Sequence, residues 1–202
     1  MNRGSLFIIS GPSGSGKDTV LKEVLKLVDN VEFSISSITR PMRPGEIEGE
    51  KYNFISRERF EEMLENDELL EFNEYIGNYY GTPRKPVEKT LEKGKDMIIE
   101  VDVNGAFKVK SKMDEAISIF IMPPSFAELN RRLNSRGTDA KEVIEKRMNE
   151  ALGEIKNAEK YDYIVVNDNV SVAAQDVAHI ILSSRLKTAR KKEIINEVLE
   201  KC

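Results

Sequence analysis

Cysteine is almost absent from this chain: Cys202 is the only one, and it is the last of 202 residues. An internal disulfide is therefore excluded, and such cysteine usage is typical of the reducing cytoplasm, where we expect the protein. No apolar run approaches the ~18 residues that a membrane-spanning helix requires, so we expect no membrane association. The apolar stretch after Arg3 is also too short for a signal peptide.

The chain also has a single histidine and no excess of positive charge. The chain has 31 Lys and Arg against 35 Asp and Glu, a formal net charge of −4, so the surface as a whole should repel nucleic acid. The only histidine, His179, falls in a predicted C-terminal helix, and we interpret it as structural. Arginines that bind phosphate must therefore act locally, inside a cleft. The length suits one domain, with room for inserted lobes.

What the chain does contain is a glycine-rich loop between a strand and a helix. Residues 11–17 read GPSGSGK and follow an apolar strand at 6–10. The form Gly-four residues-Gly-Lys predicts a loop whose backbone N–H groups, lysine and following helix terminus bind the phosphates of a nucleoside triphosphate. The predicted ATP-binding residues here are Gly11, Pro12, Ser13, Gly14, Ser15, Gly16, Lys17, Asp18 and Thr19.

Strands and helices alternate along most of the chain. Near-continuous apolar segments predict strands at 6–10, 31–36, 96–101, 117–122 and 163–167. Helical segments are predicted at 18–28, 103–112, 125–135, 139–159 and 172–186. Apolar strands of this kind are covered on both faces, so the predicted fold class is α/β, a parallel sheet with helices on both sides. Ligands of such sheets bind at the carboxyl ends of the strands.

Two regions interrupt this alternation. Turn residues crowd between about 37 and 89, where short strands at 53–55 and 69–75 flank a helix at 57–66. The arginines and tyrosines of this region favour an anion-binding lobe over an excursion without a special role: Arg40, Arg43, Tyr52, Tyr79 and Tyr80. The second region, 125–159, is a pair of helices with four arginines. For Arg131 and Arg132 a solvated helix face stays an open alternative.

Four separated segments resemble the guanylate kinase family, in that family's order. Residues 36–46 (SSITRPMRPGE) with 49–52 (GEKY) resemble its GMP-binding segment, and 77–82 (GNYYGT) its second GMP segment. Residues 132–147 resemble the lid, and 165–168 (VVND) the late strand and turn. The resemblance implies a P-loop NTPase-type core, an inserted GMP-binding lobe and a helical lid. It also implies transfer of the γ-phosphoryl group of ATP to GMP, and to dGMP, with Mg²⁺ as the cofactor.

This resemblance divides one domain of 202 residues into four parts. They are a core (1–35, 90–123 and 160–190), a GMP-binding lobe (36–89), a lid (124–159) and a tail (187–202). The tail is charged and ends in an amphipathic stretch. Whether it covers the sheet, pairs with another subunit in a homo-oligomer or stays loose is left open by the sequence.

The resemblance also implies a role for single residues. Those implied to bind the GMP phosphate are Arg40, Arg43, Tyr52 and Tyr80. Those implied to contact the guanine base are Ser36, Glu71 and Thr82. Asp102 is also implied to bind GMP, because it takes the place of an acidic residue near the metal or nucleotide cleft of this family, with capping of the next helix as the alternative. The implied catalytic residues are Lys17, Arg136 and Arg147, and Asn167 is implied to contact adenine.

The role of Glu71 has a physical reason of its own. Guanine offers two adjacent donors, its ring N–H and its exocyclic amine, and one carboxylate accepts both. Adenine has a lone pair at the ring nitrogen and would leave the charge unpaired. A site built on such bonds can reject the wrong base by ~10⁴-fold or more.

Asp18 departs from the usual pattern, because phosphate loops normally place Ser or Thr after the lysine. Our hypothesis is that Asp18 binds Mg²⁺, directly or through water; the alternative is that it turns to solvent. The Gly-Lys-Asp sequence also resembles ribose 1,5-bisphosphate phosphokinases, which are the nearest alternative function. A non-catalytic guanylate-kinase-like module that binds phosphopeptides is the alternative from another class.

Overall fold

The computed structural model describes residues 3–135 and 141–200. The strands within these ranges are β1 (Leu6–Ser10), β2 (Val31–Phe33), β3 (Ser36–Ile38), β4 (Tyr52–Phe54), β5 (Leu69–Tyr75), β6 (Asn78–Pro83), β7 (Asp96–Glu100), β8 (Ile117–Met122) and β9 (Tyr163–Val166). The helices are α1 (Lys17–Leu27), α2 (Arg57–Glu65), α3 (Arg84–Glu92), α4 (Val103–Lys112), α5 (Phe126–Asn134), α6 (Lys141–Lys156), α7 (Val170–Ser184) and α8 (Lys192–Leu199).

The core is a parallel sheet of five strands in the order β2-β7-β1-β8-β9. Its central strand, β1, is buried at every residue. Apolar side chains on one face pack against α1 and α7, and those on the other face against α3 and α4. The predicted α/β class, with helices on both faces of a parallel sheet, is therefore confirmed.

Two of the predicted strands differ from the observed ones. Of the segment predicted as one strand at 31–36, only residues 31–33 join the core sheet, as β2, whereas Ser36 begins β3 of a second sheet. The prediction that every core strand is covered on both faces is wrong for β9. This strand lies at the sheet edge, where Tyr163, Ile164 and Val166 are between 41% and 50% exposed.

Residues 36–83 form a second sheet with the order β4-β3-β6-β5. The hairpin of β5 and β6 turns at Ile76 and Gly77, both with positive φ (49° and 71°), as a tight hairpin requires. Helix α2 places the buried Phe60 against this sheet, where its ring stacks on Tyr79 at 5.1 Å. Sequence patterns had not predicted β3 or β6.

Helices α5 and α6 pack on each other through a small apolar cluster that includes Leu129, Leu133 and Ala151. The predicted capping of α5 is present, since the Ser125 hydroxyl accepts a hydrogen bond from the Glu128 N–H at 3.0 Å. Arg136, a predicted catalytic residue, lies outside the described residues. No helix among the described residues combines the length and apolarity needed to cross a bilayer.

The opposite end of the core sheet is held by a buried carboxylate. Asp96, at the start of β7, is fully buried and accepts hydrogen bonds from Arg185 Nε at 2.8 Å and Arg190 Nη1 at 2.9 Å. It also accepts one from the Ser5 N–H at 2.8 Å. These contacts join the end of α7 and the chain beyond it to the sheet.

We expect Asp96→Ala to lower the free energy of unfolding by about 3 kcal/mol, because it leaves two partly buried guanidinium groups without their common partner. Urea unfolding measures this change. The control is Asp29→Ala, which removes the 94% exposed second partner of Arg185 and should cost under about 0.5 kcal/mol. Equal losses in the two variants would contradict a structural role for the buried carboxylate.

Candidate active site

The glycine-rich loop follows β1 and ends where α1 begins at Lys17. Gly16 precedes the helix with a φ of +89°, and no side chain among the described residues caps this helix start. A Cβ at Gly16 would lie 2.3 Å from Asn167 Nδ2, so both the backbone angle and the packing require glycine. Side chains of the described residues thus leave the first N–H groups of α1 uncapped, and uncapped helix starts are sites where phosphate binds.

Two side chains from distant elements hold this loop from behind. Asn167 Nδ2 donates to the Ser15 carbonyl at 2.7 Å, and Arg132 Nη2 donates to the Asn167 carbonyl at 3.0 Å. Asn167 is 2% exposed, and its Oδ1 is buried without a hydrogen-bond partner among the described residues. Of the two arginines left open by the sequence, Arg132 thus anchors α5 to the loop. The side chain of Arg131 is 70% exposed and pairs with Glu128.

Lys17 lies over the loop that precedes it. Its Nζ donates to the Gly11 carbonyl at 2.6 Å and to the Pro12 carbonyl at 3.3 Å. Burial lowers the pKa of Lys17 below its ordinary value, against the opposing effect of the carboxylates of Glu100, Glu154 and Asp18. The ammonium is therefore desolvated, which strengthens its attraction for an anion.

A cleft of about 600 Å³ extends from this loop to the second sheet. Of the predicted site residues, those that line it are Gly11, Ser13, Gly14, Gly16, Lys17, Asp18, Thr19, Ser36, Arg40, Arg43, Tyr52, Glu71, Tyr80, Asp102 and Arg147. Pro12, Ser15, Thr82 and Asn167 lie behind the lining. Sequence reasoning missed three charged residues of this cleft, namely Lys51, Glu150 and Glu154.

Arg40 lies just after β3 and is a buried cation, with 9% of its surface exposed. Glu46 accepts from its Nη1 at 2.7 Å and from its Nη2 at 2.5 Å, and also from the Arg43 N–H at 2.7 Å. The hydrogen bonds from Arg40 lower the pKa of Glu46 to about 2. The Arg40 guanidinium also lies 5.5 Å from the centre of the Tyr52 ring. Arg40 is thus fixed in orientation, a role of Glu46 that the sequence did not reveal.

Glu71 lies on β5 at the far end of the cleft and is 7% exposed. Its Oε1 accepts a hydrogen bond from the Thr82 hydroxyl at 2.7 Å. Its Oε2 is close to Gly105: a Cβ atom at that position would lie 2.9 Å from this oxygen. Burial raises the pKa of Glu71 above its ordinary value.

The alternative interpretation of Asp102, as a helix cap, is confirmed: its Oδ1 accepts a hydrogen bond from the Gly105 N–H at 2.7 Å and caps α4. Its Oδ2 accepts from Asn73 beside the same cleft.

Between the loop and the second sheet, charged side chains from three elements meet. Lys51, just before β4, donates to Asp18 Oδ1 at the start of α1, and its Nζ lies 3.5 Å from Glu100 Oε2 at the end of β7. That Glu100 oxygen is buried and accepts no hydrogen bond from the described residues. Burial is also the main reason that the pKa of Glu100 is raised.

A parallel α/β sheet with a phosphate loop after its central strand, facing a lobe with a buried arginine, defines a P-loop protein that binds phosphorylated ligands. The sequence profile described as guanylate kinase matches residues 3–184. The guanylate kinase of Halalkalibacterium halodurans is 46% identical over 98% of this chain and 97% of its own. That of Desulfitobacterium hafniense is 43% identical over 98% of both chains.

The crystal structure of guanylate kinase from Anaplasma phagocytophilum matches with a TM-score of 0.77 and 36% identity, over 94% of this chain and 90% of that one. The chain belongs to the guanylate kinase family. The family membership predicted from the four sequence segments is therefore confirmed.

Glu154, on α6, gives the cleft a pH-dependent charge. Burial raises its pKa to about 7, with Lys17 opposing the shift and Asp102 and Glu150 adding to it. Because the carboxyl group is protonated more readily in the folded chain, its contribution to stability is complete below about pH 4.5 and is lost as pH rises through about 7.

We therefore expect Glu154→Gln to gain stability relative to the parent protein as pH rises from 5 to 8, by about 1–2 kcal/mol after allowance for partial solvation. Urea unfolding of both proteins across this range provides the measurement. The exposed Glu145→Gln, on the same helix, is the control and should show a constant difference. A constant difference for Glu154→Gln would rule out the raised pKa.

Proposed function

We propose that this protein is a guanylate kinase that transfers the γ-phosphoryl group of ATP to GMP, and also to dGMP, giving ADP and the nucleoside diphosphate. The main support for this proposal is that one cleft contains two chemically different sites. The phosphate loop lines one end and the buried carboxylate of Glu71 lines the other. Family membership supports both the ATP dependence and the nucleotide acceptor.

On the ATP side, the loop and the start of α1 would bind the phosphates. The contributing residues are those predicted from the sequence, with Lys17 as the charge on the β- and γ-phosphates and Thr19 on the first helical turn. Pro12 and Ser15 lie beneath the lining and would act by shaping the loop. Asn167 supports the loop through Ser15, and its contact with adenine stays a prediction.

On the GMP side, the phosphate would be bound by Arg40, Arg43, Tyr52 and Tyr80. Guanidinium groups donate in pairs and so match the geometry of phosphate oxygens. The base would be bound by Ser36, Glu71 and Thr82, with Asp102 nearby. The Thr82 hydroxyl supports this assignment because it orients the Glu71 carboxylate, while Asp102 is itself oriented by Gly105 and Asn73.

The reaction then requires alignment and charge stabilisation more than acid–base chemistry. The attacking group is an oxygen of the GMP phosphate, which is largely deprotonated at neutral pH because its second pKa is about 6. No side chain has to remove a proton. Arg147 lines the cleft from α6 and would stabilise the charge on the transferred group, as would Arg136. Closure of the cleft would exclude water as a competing acceptor.

The cofactor proposed is Mg²⁺, which prefers carboxylate, water and phosphate oxygens. Glu100 fits a role in holding it, because its Oε2 is buried in the cleft and accepts no hydrogen bond from the described residues, although the Lys51 ammonium lies 3.5 Å away. Asp18 supplies a second carboxylate, although Lys51 already contacts it. When bound, the ion would neutralise part of the charge on the phosphates. The role of Asp18 as a magnesium ligand stays a prediction, as do the cytoplasmic location and the homo-oligomer.

A coupled assay for ADP tests the proposed function directly. With ATP and magnesium present, ADP should form when GMP or dGMP is added and hardly at all with AMP. Ribose 1,5-bisphosphate as acceptor tests the nearest alternative, and no turnover with any acceptor would favour the phosphopeptide-binding module. Lys17→Ala should lower kcat strongly, and full turnover in that variant would contradict the assignment of the phosphate loop.

Glu71→Ala should reduce the preference for guanine over adenine. We expect the ratio of kcat/KM for GMP to that for AMP to fall by about 100-fold or more. The reason is that the substitution removes the carboxylate that accepts from the ring N–H and the exocyclic amine of guanine. Steady-state kinetics with both acceptors measure the ratio. Glu74→Ala is the matched control, because Glu74 is exposed on the same strand. An unchanged ratio in Glu71→Ala would refute the base-reading role.

A further inference from the structure

The carboxylate of Asp18 poses an electrostatic problem for this phosphate loop. It follows Lys17 directly, lines the same cleft and is 64% exposed. A negative charge at a helix start is favourable for the helix itself. However, it repels the phosphates that the same helix start and Lys17 are arranged to attract. A loop with this residue needs a cation beside it.

The structure supplies that cation from the other lobe. Lys51, immediately before β4, donates to the Asp18 carboxylate and lies 3.5 Å from Glu100. Its Nζ is also 5.9 Å from the centre of the Tyr52 ring, so the ammonium borders both phosphate subsites. Although burial opposes the shift, these carboxylates raise the pKa of Lys51 above its ordinary value. The side chain therefore carries its charge throughout the neutral range.

We propose that Lys51 neutralises the Asp18 carboxylate and thereby allows this phosphate loop to bind the polyphosphate of ATP. This inference rests on the proposed function, because it assumes that ATP occupies the loop. It makes Lys51, a residue of the GMP-binding lobe, a positioning residue for the triphosphate subsite. It also explains how the loop tolerates an acidic residue where a hydroxyl is usual.

The two charges should show a specific pattern of dependence on each other. Lys51→Met leaves Asp18 uncompensated and should weaken ATP binding on the order of fivefold at low salt. Asp18→Ser should bind ATP no more weakly than the parent protein, because it removes the repelling charge and leaves the Lys51 cation in place. The double variant Asp18→Ser/Lys51→Met should return to within about twofold of the parent protein, because the repelling charge is gone as well. Lys51→Arg keeps the charge and should bind ATP like the parent.

Calorimetric titration of ATP into the full chain, without GMP, measures these affinities. Each protein is titrated with magnesium and again with a chelator, at low salt and at a salt concentration that screens exposed charges. Lys95→Met is the matched control. Lys95 forms a comparable ion pair with Glu32 at 2.6 Å. The side chains of Lys95 and Lys51 are equally exposed, at 44% and 43%. It precedes β7, whereas the cleft lies at that strand's other end.

The expected result is a loss in Lys51→Met that shrinks with added salt, recovers in the double variant and is absent in Lys95→Met. Unchanged affinity in Lys51→Met, or no recovery in the double variant, overturns the inference. So does a loss in Asp18→Ser that appears only with magnesium, because Asp18 would then act through the metal. Failure of the parent protein itself to bind ATP would instead contradict the proposed function.

Discussion

Two polyanions must approach each other closely in this cleft, and that constraint governs the rest of the structure. The chain as a whole carries a net charge of −4, so its overall field repels both nucleotides. Attraction has to be local and directed. We propose that it comes at one end from backbone N–H groups and Lys17, and at the other from Arg40, whose guanidinium is held by Glu46.

The fold meets this constraint by bringing distant segments to one edge of the core sheet. The phosphate loop leaves the central strand, and Asn167 and Arg132 reach it from sequence positions more than 110 residues away. The second sheet places Arg40 and Glu71 on the opposite side of the cleft. The carboxylates of Asp18, Glu100 and Glu154 lie among these cations. Burial raises the pKa of Glu100 and Glu154, whereas for Asp18 the opposing effect of burial is outweighed by Lys51, which lowers its pKa. At the other end of the sheet, buried Asp96 joins the chain after α7 to β7.

The local features of this architecture were predictable from the sequence. The phosphate loop is a contiguous motif, and the apolar segments that became β1, β7 and β8 are long enough to identify without partners. The edge position of β9 was not predictable, because an apolar strand has the same pattern at an edge as in the centre. Strand β6 was missed because its two tyrosines and single glycine show no clear alternation of apolar and polar residues. The contacts of Glu46 and Lys51 depend on which side chains the fold places together, and the sequence pattern carries no such information.

On the proposed function, ATP and GMP occupy adjacent subsites of the cleft at the same time. Calorimetric titration of GMP into the protein, with and without a saturating non-hydrolysable ATP analogue and magnesium, checks this simultaneous binding. We expect one GMP site per chain that persists when the analogue is bound. Loss of GMP binding in the presence of the analogue would show instead that the two nucleotides compete for one site.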